Sequence, residues 1–165
     1  LNYFAEFAPG TAARARHLRD EQDFVHQVKT GRLPAVSFVK PIGEENEHPG
    51  YASVSAGQQH LVNLIKTIEA GPQARSTAIV VTYDEFGGQW DHVPPPTKAG
   101  VSDRWGPGTR IPAIVISPLL RGPKVSSLPT DTTSILATIE ARFHLAPLTS
   151  RDASVNSLAR LFGPH

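Results

Sequence analysis

The sequence predicts an α/β protein, a sheet with helices on its faces. Three observations carry that expectation: short β-branched runs, longer segments with helical apolar spacing, and their alternation along the chain as strand, helix, strand, loop, strand, helix. The 165 residues suit one domain with its own core and are too few for two comfortable ones, so residues 1–165 are expected to form a single unit.

The first helix is expected in "RDEQDFVHQVKTG". Leu18, Phe24, Val25 and Val28 fall roughly on one face, Asp20 can cap the start and Gly31 the end. "PAVSFVKP", residues 34–41, is a β-branched and aromatic run fenced by prolines and reads as a first strand. An acidic loop, "IGEENEHPGYA", follows it. In "SVSAGQQHLVNLIKTIEAGP", Val54, Leu61, Leu64, Ile65 and Ile68 recur at helical spacing between a capping Ser53 and a Gly71-Pro72 stop.

"STAIVVTY" and "RIPAIVISP" read as two further strands, nearly continuous in apolar residues and so expected to be covered on both faces. The connection from Val39 to Ala78 is long enough for a right-handed crossover. A last helix is expected through "DTTSILATIEARF", with Asp131 near its start and Ile135, Leu136, Ile139 and Phe143 toward the core. Between the last two strands, residues 87–110 form a long stretch rich in Pro and Gly, a length that compact domains usually reserve for function.

Composition narrows the function classes. The net charge is +1 and the basic residues are scattered, so no footprint for nucleic acid is present. No apolar run reaches the length of a transmembrane helix. With no cysteine, disulfides and thiolate metal sites are excluded, while the compartment stays open. The chain starts at Leu1 and contains no Met, the mark expected of a processed chain or of a piece of a longer protein.

The stretch that carries chemistry is "AIVVTYDEFGGQWDHVPPP". Asp84 and Glu85 follow directly on a predicted strand, at the edge where open α/β sheets collect ligands. Where the strand gives way to a loop, the alternation of side chains lapses and both carboxylates can turn toward one point. Adjacent carboxylates repel unless a cation lies between them, and a hard divalent ion is the usual solution. Taken alone, an Asp-Glu pair is more often a solvated turn. The preceding strand and the paired glycines favour a site.

His48, in "ENEHPG", follows the first predicted strand and so belongs to the same expected edge, with functional and structural readings evenly balanced. His92 can reach a ligand or cap the proline-rich turn, and the cap is the reading its neighbours favour. His17, His26, His60, His144 and His165 read as surface or packing residues. Asp103, Arg104 and Arg110 can hold an anion, but an Asp-Arg pair in a loop is more often structural. Trp90 and Trp105 are expected to pack their loops against the domain.

"HPGYASVSAGQQHLVNLIKTIE", "TAIVVTYDEFGGQWDHVPPP", "DRWGPGTRIPAIVISP" and "DTTSILATIEARF" together resemble the C-terminal part of the bacterial phosphoesterase family that contains phospholipase C and related acid phosphatases. The resemblance runs in order through residues 3–152. It implies an alkaline-phosphatase-like fold, an α/β sheet with helices on both faces, present here as a C-terminal portion. It also implies metal coordination by Asp84 and Glu85, a place for His48 beside the substrate phosphate, and a secreted or periplasmic protein.

The implied substrates are phosphomonoesters or the phosphodiester of phospholipid head groups. The implied cofactor is a divalent metal ion, with Ca, Mg, Mn, Fe and Zn all open. The family's Glu-Asn metal pair, its hydroxyl nucleophile and its further histidines have no counterpart in these residues, and "EEN" at residues 44–46 occupies the wrong place in the pattern. The expectation is therefore half a site that needs a missing N-terminal part of the same protein and, alone, binds metal weakly and turns over little. The alternatives are a non-catalytic binding or packing module descended from such an enzyme, and a sulfatase or other hydrolase of the same superfamily.

Overall fold

The computed structural model describes residues 1, 3–97 and 103–163. The backbone groups into two compact units, Leu1–Arg75 and Ser76–His165.

In the first unit a 3-10 turn, Ala5–Phe7, leads into α1, Ala12–His17, and α2, Glu21–Thr30. The Asp20 carboxylate accepts the Gln22 N–H at 2.9 Å, which satisfies one of the free donors that every helix start leaves. Glu21 and Asp23 in the first turn and Lys29 in the last complement the helix dipole. Gly31 closes α2 in the left-handed region (φ 67°), and Arg32 N–H then reaches back to Gln27 O at 2.9 Å. Leu18 does not belong to this face, since it ends α1 as its C-cap.

The longest helix, α3, Val54–Glu69, starts on Ser53, whose hydroxyl accepts from Ala56 N–H. It packs on α2 around Val28, 1% exposed, and Ile68, 8% exposed. A Cβ on Gly71 would stand 2.9 Å from Val28 Cγ1, so the chain after α3 passes too close to α2 for a side chain.

Residues 34–41 contain no strand, which corrects the first predicted strand and removes the crossover built on it. Prolines at both ends withhold ladder donors, and Phe38 stands 76% exposed. β-propensity without a pairing partner does not make a strand.

The second unit holds the sheet. β1, Ile79–Thr82, pairs antiparallel with β2, Ala113–Ile116, in the register Ile79↔Ile116 to Thr82↔Ala113. Side chains staple both ends of this short ladder: Ser117 Oγ donates to Thr77 O and Thr82 Oγ1 to Pro112 O, each at 3.0 Å. The expected cover on both faces is absent, since Ile114 is 58% exposed. Runs with the composition of a fully buried strand here form a two-stranded ribbon.

α4, Thr133–Phe143, begins where Asp131 accepts from both the N–H and the hydroxyl of Thr133. Its buried residues are Ser134, Ala137 and Glu140. Phe143 is exposed instead of facing the core as expected, because α5, Ser150–Ser154, and the 3-10 turn Leu158–Phe162 pack on the face that carries the small residues. Thr138 ties that turn down, its hydroxyl accepting Leu158 N–H at 2.8 Å. Among the described residues no helix is long and apolar enough to cross a membrane.

Candidate functional site

β1 ends at Thr82, and the backbone bends at Asp84 and Glu85, both of them exposed. Glu85 turns back on its own loop, with one carboxylate oxygen accepting Gly87 N–H at 2.8 Å. Gly87 and Gly88 both adopt positive φ, 63° and 70°, a tight reversal that side chains other than Gly rarely tolerate.

Two oxygen-donor side chains at one bend are the donor chemistry a hard divalent cation takes. Among the described residues no group of three or more His, Asp and Glu converges for a metal.

The loop beyond that bend is anchored on Asp91, which local sequence patterns did not single out. Asp91 takes Arg110 in a two-bond grip, Nε to Oδ2 at 2.7 Å and Nη2 to Oδ1 at 2.8 Å. With Val93 N–H as a further donor, the guanidinium holds the Asp91 carboxyl far below the usual carboxylate range. Asp91 therefore caps the proline-rich turn, the role expected of His92. His92 itself is exposed, 3.6 Å from Asp91.

Arg151 on α5 gathers a second cluster, reaching Asp103 Oδ1 at 2.8 Å, Gly106 O at 2.9 Å and Asp131 Oδ2 at 2.9 Å. The Asp103 carboxyl is lowered first by the Trp105 N–H it accepts and then by Arg151. Asp131 is lowered although burial opposes it, because Thr133 and Arg151 both donate to it. Arg110 and Asp103 are thus structural, as an Asp-Arg pair usually is, but their partners are not each other. Arg104 lies over the Trp105 ring at 4.2 Å. Trp90 and Trp105 do not pack their loops down; they are 85% and 77% exposed.

A buried acid pair brings together Glu140 of α4 and Asp152 of α5. Asp152 accepts from Leu148 and Thr149 N–H and from the Thr149 hydroxyl, and that hydroxyl bond leads the pull of its carboxyl down to about 2. Glu140 is pushed the other way by burial and by the Asp152 charge. Its Oε1 is buried with no hydrogen-bond partner among the described residues.

His48 belongs to the first unit. Without a strand at residues 34–41 the sheet-edge argument for it falls away, and its position comes from a loop instead. His48 Nδ1 lies 2.7 Å from Pro49 O. A carbonyl only accepts, so Nδ1 carries the proton and Nε2 is left for other chemistry. The ring stacks on Tyr51 at 4.5 Å. Asn46 joins the two, accepting His48 N–H at 2.9 Å and donating to Tyr51 OH at 3.0 Å.

Of the histidines read as surface or packing, His17 meets Phe7 edge-on, His26 is exposed and His144 ends α4 at φ 55°; His165 lies outside the described residues. His60 does more than pack: it stands between Glu21 and Glu45 at 3.1 and 3.3 Å.

Residues 1–146 match the Phosphoesterase family. The chain is 35% identical over 164 residues to Phospholipase C B of Mycobacterium tuberculosis (strain ATCC 25618 / H37Rv), covering 85% of this chain and 31% of that protein. It is 34% identical over 140 residues to Non-hemolytic phospholipase C of Burkholderia pseudomallei (strain K96243), covering 71% of the chain and 20% of the relative. It is 32% identical over 169 residues to Non-specific phospholipase C1 of Arabidopsis thaliana, covering 84% and 31%. The chain spans about a third or less of the length of these relatives.

Proposed function

The chain belongs to the phosphoesterase family, and from that premise we propose that it supplies part of the active site of a metal-dependent phosphoric ester hydrolase of phospholipase C or acid phosphatase type. Both units then belong to one alkaline-phosphatase-like domain completed by an N-terminal part of the same protein, and the family resemblance favours a secreted or periplasmic setting. The observation that carries the reading is the bend after β1, where Asp84 and Glu85 are adjacent and both exposed.

Like charges placed side by side cost free energy until a cation joins them. A divalent ion held there would neutralise the oxygens of a phosphate ester and favour in-line attack at phosphorus. His48 has the complementary role. With Nδ1–H committed to Pro49, its Nε2 can, when protonated, donate a hydrogen bond to a phosphate oxygen or a proton to the leaving oxygen. The cleaved bond is P–O, with water or a protein hydroxyl supplying the new oxygen. Names among the relatives support phospholipid head groups as substrate class.

The test is hydrolysis by the full-length protein of p-nitrophenyl phosphate, p-nitrophenyl phosphorylcholine and p-nitrophenyl sulfate, with and without a chelator. Loss of phosphate ester cleavage in an Asp84→Asn/Glu85→Gln variant that keeps its fold supports the reading. Preference for the sulfate would move the protein to a sulfatase.

A second reading rests on one observation, that no group of three metal-ligating side chains converges among the described residues. It makes the chain a non-catalytic packing module, and in that case the same variant changes stability and no activity.

A further inference from the structure

The hydrolase reading leaves unused the seat beneath the His48 loop. We propose that Gly57 and His60 on α3, with Glu21 and Glu45, are positioning residues that fix the His48 ring, an inference that rests on the role of His48 proposed above. Glu45 and Glu47 lie directly against the face of α3 that carries Gly57 and, one turn on, His60. Gly57 is buried. A Cβ built on it would stand 2.3 Å from Glu47 Cγ and 2.9 Å from Glu45 O. The second atom is backbone and cannot rotate away, so the loop sits where it does because residue 57 has no side chain.

The loop is also held in an unfavourable conformation. Glu47, the residue before His48, has φ 61°, a left-handed backbone that a residue with a Cβ adopts only when its surroundings impose it. His60 is one such constraint. Its Nε2 faces Glu21 Oε2 on α2 at 3.1 Å and its Nδ1 faces Glu45 Oε2 on the loop at 3.3 Å, and the side chain is only 16% exposed. One imidazole thus ties the α2–α3 pair to the loop. From Glu45 and Glu47 the constraint passes through Asn46, which holds both the His48 backbone and the Tyr51 hydroxyl, to the ring stacked on Tyr51.

The experiment uses the full-length protein with ¹⁵N,¹³C-labelled histidine. Gly57→Ala is expected to shift or broaden the His48 ring resonances as the Tyr51 stack loosens, while those of His92 stay in place. It should lower kcat for p-nitrophenyl phosphorylcholine by about ten- to a hundredfold, the range a misplacement of about 1 Å costs, with KM little changed. The effect should vanish in a His48→Ala background. Glu45→Gln, an exchange at the loop surface that leaves the α2–α3 packing untouched, should act in the same direction and more weakly, which keeps the test open if Gly57→Ala fails to fold.

Unmoved His48 resonances in a folded Gly57→Ala or Glu45→Gln protein overturn the proposal, as does an activity loss that persists in His48→Ala. If the resonances move and His48→Ala itself hydrolyses normally, the seat is upheld and the catalytic role of His48 is what falls.

Discussion

The His48 loop and the Asp84–Glu85 turn hold their candidate groups by different means. Protein contacts hold His48: a carbonyl on Nδ1, an aromatic ring against its face, an Asn behind its backbone. Asp84 and Glu85 stand in the open, with Gly87 N–H donating to Glu85 from within the turn. An imidazole can be set in place in advance by a carbonyl, a ring and an amide neighbour. Two adjacent anions repel each other, and a cation bound at the turn would draw them into one arrangement. His48, Asp84 and Glu85 are all exposed; what differs is the kind of partner, a stacked ring and a carbonyl for the imidazole and a backbone N–H of the Gly-Gly turn for Glu85.

The largest effect should come from removing the charges themselves. Asp84→Asn/Glu85→Gln in the full-length protein is expected to lower kcat/KM for p-nitrophenyl phosphorylcholine by on the order of a thousandfold, since cation stabilisation of transition-state charge is worth several kcal/mol. Calorimetric titration should show divalent metal binding lost in parallel. Metal binding that survives the double exchange would break the comparison, because the turn would then be ordered by something else.

Arg151→Ala comes next. It removes the bonds to Asp103, Gly106 and Asp131 together and should cost about 1–2 kcal/mol of stability, read as a lower urea midpoint at constant m. His48 resonances should not respond.

A smaller effect, with a definite sign, is expected at Glu140. Its carboxyl is raised, so when ionised at neutral pH it opposes folding, and the penalty fades as pH falls below that raised value. Asp152 behaves oppositely: its lowered carboxyl stabilises the fold above the ordinary carboxylate range, and that contribution is lost as pH falls toward 2. Glu140→Gln should therefore raise the melting temperature at pH 7 and give no gain near pH 4. A gain independent of pH would mean that packing, not charge, sets the cost. The smallest change is His92→Ala, which should stay within about 0.5 kcal/mol, as surface substitutions do, because His92 is 74% exposed and has only a 3.6 Å approach to Asp91.

What was legible in the sequence is what short-range chemistry decides. Asp20, Ser53 and Gly31 mark helix ends because capping is settled within a few residues. The strands in "STAIVVTY" and "RIPAIVISP" and the bend at Asp84 and Glu85 were visible for the same reason. Residues 34–41 were misread because a strand is a pair, and composition does not name the partner. Asp91 with Arg110, and Arg151 with Asp103, were missed because their ends lie 19 and 48 positions apart. His60 looked inert for a similar reason, one of its glutamates being 39 residues away on α2. Gly57 gave a signal that was available, a glycine inside an otherwise apolar-periodic helix, which often marks a close approach.

Both tryptophans of the chain lie in the second unit, in the connection between β1 and β2, and both face water. Their fluorescence is already that of hydrated indole in the native state, so a thermal or denaturant melt followed by tryptophan emission has little contrast and is blind to the first unit. The same property makes them low-background reporters of cover. A blue shift or gain in intensity when a phosphate ester, a vesicle or the remainder of the domain is added would register that this loop has left the solvent.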